Sequence, residues 1–477
     1  MAKRYEQIKI NDLSVGRGQL YHDPLLQKFS DSEGVDVDTV SGRLKLVSSF
    51  DSLSKEDTWT HNFPGQFLAR QYSSGTIYTF WIYYDSASTQ VKLSRFSTNT
   101  IEIAVKSFGV TYTEIYYFLA YKNLLIAEYK ISGVVNIGYS IDAGVNFIDA
   151  VWTYGKIIGH TINQDNDLLV ITDTGYVVKT SDGINWTQVF YDSTVFPSSI
   201  EYLDGFIYMI ITDSNGIKSN LVRLDDEEIE MLVDLHTEFS PATMIVENEK
   251  RLLIAKIEHV SRAYIYEYDK GELTQVAFVS FSGNLAPIRF LTGNNNASYF
   301  SIGNGYLYKI NDKNGVFFLH NLSDTFENGV IINAVLDERS SKNVGDLRIF
   351  VRDTDADGSY IVLMTPDNSI VSGMAVTSII DLGPHMPAYL VAKHAPLTAT
   401  ASLVVNARYD KAGSYSTILI SDTTGAVREC IKISDLIDNT VHYIELQIFL
   451  LDSAGLFGIN EVELNYLYIP TGIENSN

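Results

Sequence analysis

The chain has 477 residues with 35 Lys and Arg against 58 Asp and Glu, a formal net charge of −23. A protein this acidic is repelled by nucleic-acid phosphates and by anionic membrane surfaces, and no concentrated basic patch in the sequence offsets that. Hydrophobic residues at 45% are enough for large cores, while the single cysteine, Cys430, excludes an intramolecular disulfide and reads as a buried small residue in the apolar stretch VRECIKI. The opening MAKRYEQIKIND lacks the apolar stretch of a secretory signal, and the longest apolar run, residues 77–84, is strand-sized. Folding in a reducing cytoplasm without membrane insertion is the expectation.

In chain order, residues 1–48 form a compositionally separate segment, net neutral where residues 49–372 carry a net −17. Two Gly-centred turns, at VGRG and EGVD, precede an alternating stretch at 35–46, so the segment reads as an extended arm ending in a hairpin or strand. Such an arm buries little by itself and would dock on the rest of the chain or on another subunit. From residue 67 onwards, apolar runs of five to eight residues rich in Tyr, Phe, Val, Ile and Thr alternate with Gly, Asn, Asp and Ser clusters. First runs begin near Phe67, Tyr112, Ile157, Ile200, Thr243, Ile288 and Ile331, a period of 43 to 45 residues. Second runs (TIYTFWIYY, NLLIAEY, DLLVITD) and third runs (QVKLSRF, VVNIGYS, GYVVKTS) keep the same rhythm, and most periods close with a fourth. Four strands per period define the blade of a β-propeller, and seven periods predict a seven-bladed propeller over residues 49–372. The remaining residues, 373–477, hold seven short alternating runs that predict a β-sandwich. The fold class is therefore all-β. The one short helix candidate, at 434–437, is as compatible with a turn.

Two motifs stand out. SIDAGVNF, residues 140–147, fits S-x-D-x-G-x-x-aromatic, and SDGINW, residues 181–186, is a contracted copy. Ser140, Asp142, Gly144 and Phe147 in the first, and Ser181, Asp182, Gly183 and Trp186 in the second, have a mechanical reading. The aspartate bonds backbone amides, the glycine takes positive φ, and the aromatic ring pins the hairpin to the core. The other motif, DTDADG at 353–358, places Asp353, Asp355 and Asp357 at the alternate spacing that can direct carboxylates to calcium. Met364 stands where an EF-hand needs a bidentate Glu, and a solvated acidic turn is the favoured reading. The acidic cluster at 225–230 reads in the same way. Nine scattered histidines and one cysteine assemble no zinc signature, and no phosphate-binding or nucleophile-elbow motif is present.

The two boxes resemble the Asp-boxes of sialidase-type propellers. In those families the boxes lie on outer turns, which implies fold and no catalytic role. The order of arm, Asp-box propeller and C-terminal sandwich resembles tailed-bacteriophage virion proteins of the tail-tip, fibre or nozzle type. That resemblance implies a structural, non-enzymatic component assembled in the host cytoplasm and located in the virion. It would be homo-oligomeric, partnered by other virion subunits, and able to recognise a host surface glycan or protein, with aromatic turns such as 59–63 available for stacking. The alternative is a glycan-binding or glycan-hydrolysing propeller. A sialidase would need an arginine trio, for which Arg70, Arg223, Arg251, Arg289, Arg348 and Arg352 are the candidates by number alone.

Overall fold

The computed structural model describes residues 5–10, 29–33, 35–37, 44–46, 48–56, 68–73, 76–85, 90–97, 101–108, 112–225, 228–237, 239–247, 250–259, 262–281, 288–293, 297–303, 305–322, 330–335, 347–355, 358–369, 372–377, 379–410, 412–432, 441–452 and 458–468. Among them there is no α-helix, and no helix is long and apolar enough to cross a membrane. The residues of the short helix candidate and of the aromatic turn at 59–63 lie outside those described.

Seven four-stranded antiparallel sheets follow one another, each in simple up-and-down order. Their first strands are Leu68–Ser73, Tyr112–Tyr121, Ile157–Ile162, Phe196–Leu203, Thr243–Glu247, Ile288–Gly293 and Val330–Val335. Each lies against the first strand of the next sheet, and Val330–Val335 lies against Leu68–Ser73. The second strands are apolar on both faces: Leu168–Thr172 and Ala297–Ile302 are buried at every position. That follows from sheets stacked face to face, where alternation has no exposed side to report. Most fourth strands are more exposed, and Ile148–Val151 is exposed throughout, whereas Val316–Asn321 is buried at its first four positions. The pairing of third with fourth strand also slips by a residue in five sheets, for example between Val177 and Val178 and between Leu221 and Val222, and by two in the sheet that starts with Leu68–Ser73. Such bulges bend the outer strand and strengthen its twist.

The seventh sheet takes its fourth strand from far upstream. Ser48–Glu56 pairs antiparallel with Gly358–Ser369, next to Arg348–Asp355 and Val330–Val335.

The strands after residue 372 form two sheets joined by one long strand, Ile380–His394. Its start pairs with Val441–Asp452 and its remainder with Gly458–Tyr468, so it passes from one sheet to the other. Ala401–Tyr409 alternates buried and half-buried residues, with Leu403, Val405 and Ala407 turned to the core. The described strands of the N-terminal segment pair with strands of their own chain. Tyr5–Ile10 pairs with Gly458–Tyr468, Phe29–Glu33 pairs with Ser372–Thr377, and the hairpin Val35–Val37 with Leu44–Leu46 joins Gly458–Tyr468. These strands satisfy their backbone groups inside their own chain. One apolar cluster runs from Phe317 and Ile349 of the last two sheets to Leu390 and Ile448 of the C-terminal strands. Cys430 is exposed, because Arg428–Lys432 is a short strand paired on one side only, which corrects its reading as a buried residue.

Candidate functional site

The two turns at 140–147 and 180–186 connect third to fourth strands. In the first, the Ser140 hydroxyl donates to Asp142 Oδ1 (2.8 Å) and accepts from the Gly144 amide (3.0 Å), while Asp142 accepts from the Asn146 amide (2.8 Å) and side chain (2.7 Å). In the second, the hydroxyl is that of Thr180. It donates to Asp182 Oδ1 (3.0 Å) and accepts from Gly183 (2.8 Å), and Asp182 holds the amides of Ile184 and Asn185 (both 2.8 Å). Ser181, picked out from the sequence for that part, instead offers its carbonyl to Lys122 Nζ (2.6 Å) and to the Tyr121 hydroxyl (3.2 Å) of the preceding sheet. The contraction lies between aspartate and glycine, so the hydroxyl position stays two residues before the aspartate. Bonds from the Asn185 and Ile184 amides hold the Asp182 carboxyl far below the usual range.

Gly144 has φ +84° and Gly183 φ +78°, and a Cβ on either would fall 2.4 Å from Leu93 or 2.5 Å from Leu124, both side chains of the preceding sheet. The turns are therefore seated against the neighbouring sheet. Phe147 packs on Phe108 at 5.0 Å and Trp186 on Trp152 at 5.2 Å, again across sheets. For DTDADG, Asp353 and Asp355 pair through their backbones with Tyr360 and Gly358 in a hairpin. Asp357 and the side chains of Asp353 and Asp355 lie outside the described residues.

The chemistry gathers elsewhere, in a cavity of about 580 Å³ lined by residues from six of the seven first strands. Tyr117, His160, Glu201 and Arg289 face it, with Ser198, Ser199 and Thr243. Each of the four sits in a different sheet, one step or so along an otherwise apolar run, so the sheet repeat itself brings them together. The Tyr117 hydroxyl and His160 Nδ1 are 2.8 Å apart, with the rings edge to face at 5.7 Å. Burial pulls His160 down to about 4, so its ring is neutral at pH 7, and the Tyr117 bond leaves Nε2 without a partner among the described residues. Burial likewise pushes Glu201 up to about 8, opposed only by bonds from Thr161 and the Val246 amide, so its carboxyl is mainly protonated at neutral pH. Thr161 Oγ1 lies 3.4 Å from Glu201 Oε2.

Arg289 is open to the water of the cavity while protein surrounds it on most sides, and desolvation lowers its pKa. It makes no ion pair or hydrogen bond among the described residues. Of the other candidates from the sequence, Arg223 pairs with Glu230 (2.6 Å), Arg251 with Glu247 (2.6 Å), and Arg348 lies over the Phe96 ring. The side chains of Arg70 and Arg352 lie outside the described residues. No arginine trio assembles among those described. A second buried carboxyl, Glu128, is also raised to about 8 by burial. Its Oε2 accepts from the Ile157 amide (2.8 Å), and Oε1 has no partner among the described residues.

Sequence reasoning passed over Glu201, His160 and Tyr117. The available signal was a polar side chain inside the first run of a period, as in SSIEYL and IIGHTI.

No family model matches the chain, and no curated protein matches it. Among solved structures it is similar to YCF48 bound to D1 peptide, at 11% identity over 67% of this chain and 97% of that one, with a TM-score of 0.44. A protein assigned as a 6-phosphogluconolactonase from Bacteroides uniformis gives 14% identity, 60% and 90% coverage and a TM-score of 0.39. An exo-β-1,3-galactanase from Phanerochaete chrysosporium gives 9%, 87% and 100%, and 0.32. With every score under 0.5, none assigns an activity or a ligand to this chain. None of the three names a phage protein. The expectation of a purely structural, non-catalytic chain is corrected here on the cavity itself: an all-β fold does not mark a chain as a scaffold, and Tyr117, His160, Glu201 and Arg289 line one space.

Proposed function

We propose that the seven sheets form one closed seven-bladed propeller, that residues 49–372 are its extent, and that the protein is a glycan-binding or glycan-hydrolysing propeller whose site is the central cavity. Closure is supported by the contact of Val330–Val335 with Leu68–Ser73 and by the upstream strand that completes the seventh sheet. The observation that carries the functional reading is the cavity lining. Hydroxyls, a neutral imidazole, a protonated carboxyl and a guanidinium converge there on a space of sugar size.

A carboxyl protonated at neutral pH donates a hydrogen bond to a sugar hydroxyl, and it is also the form that protonates a glycosidic oxygen as general acid. Hydrolysis by two carboxyls needs a second one about 5 to 9.5 Å from the first. The described lining supplies Glu201 alone. Binding is therefore the first step assigned to this cavity, and hydrolysis is the activity to assay beside it. The virion reading, with its docking arm, homo-oligomer and host-surface partner, needs an N-terminal segment free to reach other subunits. The described strands of that segment are paired within the chain.

The test is a screen of the full-length protein against sialosides, galactans and bacterial polysaccharides, reading binding by calorimetry and hydrolysis by reducing-sugar release. Ser199→Trp places an indole in the cavity and is expected to abolish binding with the melting temperature retained. Binding that survives a folded Ser199→Trp variant would move the site elsewhere and end this reading.

A further inference from the structure

We infer that the central cavity selects a carboxylate-bearing saccharide, with Arg289 meeting the carboxylate and Glu201 donating a hydrogen bond beside it. This rests on the glycan reading above and adds the charge of the ligand to it.

The argument begins with an imbalance. The whole chain is net −23; Arg95, Arg223, Arg251 and Arg408 are taken up by carboxylates and Arg348 by a ring, whereas Arg289, set in the cavity, has no such partner among the described residues. Arg289 is on Ile288–Gly293, and no Asp appears among the cavity lining. A guanidinium set among protein walls without a counter-charge carries a desolvation cost, which a bound carboxylate relieves through charge-assisted bonds. The remaining ionisable groups of the lining do not cancel its charge. His160, from Ile157–Ile162, is neutral; Tyr117, from Tyr112–Tyr121, keeps its proton because it is buried; and Glu201, from Phe196–Leu203, is held protonated. At pH 7 the cavity is thus a small cationic space within an acidic protein.

The geometry also rules on the rest of the ligand. Ser198, Ser199 and Thr243 place hydroxyls on two adjacent first strands, next to Ile200, Met244 and Phe290. A polyol ring with apolar C–H faces fits such a mixed wall, whereas a compact inorganic anion leaves most of it unused. Thr161 and the Val246 amide bond Glu201 from the strands on either side of it, which holds the carboxyl in place as a donor.

The experiment is calorimetry of the full-length protein with three probes: tetragalacturonate, a neutral galactose tetrasaccharide, and inorganic phosphate. At pH 7 tetragalacturonate is expected to bind about tenfold more tightly than the neutral sugar, the equivalent of one charge-assisted contact. Arg289→Ala should remove that preference and leave neutral-sugar binding in place. Raising the pH to 9.5 ionises Glu201 beside the carboxylate, so wild-type affinity for the acidic probe should fall by about fivefold or more, while Glu201→Gln, which keeps a donor, should show no such fall. Equal affinity for acidic and neutral sugar would overturn this inference and leave the glycan reading standing. Phosphate binding as tight as that of tetragalacturonate would overturn the saccharide selectivity. If no sugar binds to the wild-type protein, both readings fail together.

Discussion

Asp182 and Glu201 carry the same chemical group and lie one sheet apart, yet the structure drives them in opposite directions. In the outer turn, backbone amides converge on Asp182 and keep it ionised. In the cavity, burial keeps Glu201 protonated. The first carboxylate is tied up by its own loop and has nothing left to offer a ligand. The second has one weak side-chain partner, Thr161, and opens on a space lined by other strands. The self-contained carboxylate thus sits between a third and a fourth strand, and the one that opens on the cavity sits on a first strand of the next sheet.

The strongest way to break the outer half of this comparison is Gly183→Val. The new side chain would need a backbone conformation that favours glycine and would meet Leu124, so a loss of about 2 to 4 kcal/mol is expected, measurable by denaturant unfolding. The inner half is tested by pH. The unfolded chain ionises Glu128 and Glu201 from about pH 4.5, while the folded chain keeps both protonated until about 8. Each group therefore costs stability that grows across that window and levels off above it, with a slope on the order of 1 kcal/mol per pH unit. Glu128→Gln is expected to flatten that slope and to melt above wild type at pH 8, with little difference at pH 4.5. An unchanged slope would show that Glu128 ionises normally in the fold. His160 acts the other way. The unfolded imidazole protonates below about 6.5 and the folded one not until about 4, so its contribution is lost as the pH falls through that range.

A finer test separates two adjacent hydroxyls. Thr180→Val is expected to cost about 1 kcal/mol and Ser181→Ala almost nothing, and the reverse order would contradict the turn described here. Smallest of all is the calcium effect. If DTDADG is a solvated turn, chelator leaves the melting temperature unchanged, and a rise with added calcium would establish a site at Asp353, Asp355 and Asp357.

The sheets were legible because a period of 43 to 45 residues survives any local irregularity, and the first runs near Tyr112, Ile157, Thr243 and Ile288 coincide with strand starts. The Asp-box aspartates and glycines were legible because their function is local: a turn, its amides and the side chain that follows. Thr180 was missed because a contracted motif aligns equally well on either of two neighbouring hydroxyls until the bonds are seen. The cavity was not legible for a different reason. Tyr117, His160, Glu201 and Arg289 follow one another at intervals of 41 to 88 residues, and only the stacking of sheets converts that separation into a common lining. The partners of Tyr5–Ile10 and Phe29–Glu33 were hidden in the same way, because they lie more than 340 residues downstream.

The strand Ser48–Glu56 leaves the ribosome about 300 residues before its partner Gly358–Ser369. Until then the growing polypeptide carries an unzipped margin at each end, and no amount of local order in the middle can complete the last sheet. Synthesis order therefore makes the seventh sheet the last to be completed. A nick or truncation near residue 50 would be felt as strongly at residue 360 as at its own position.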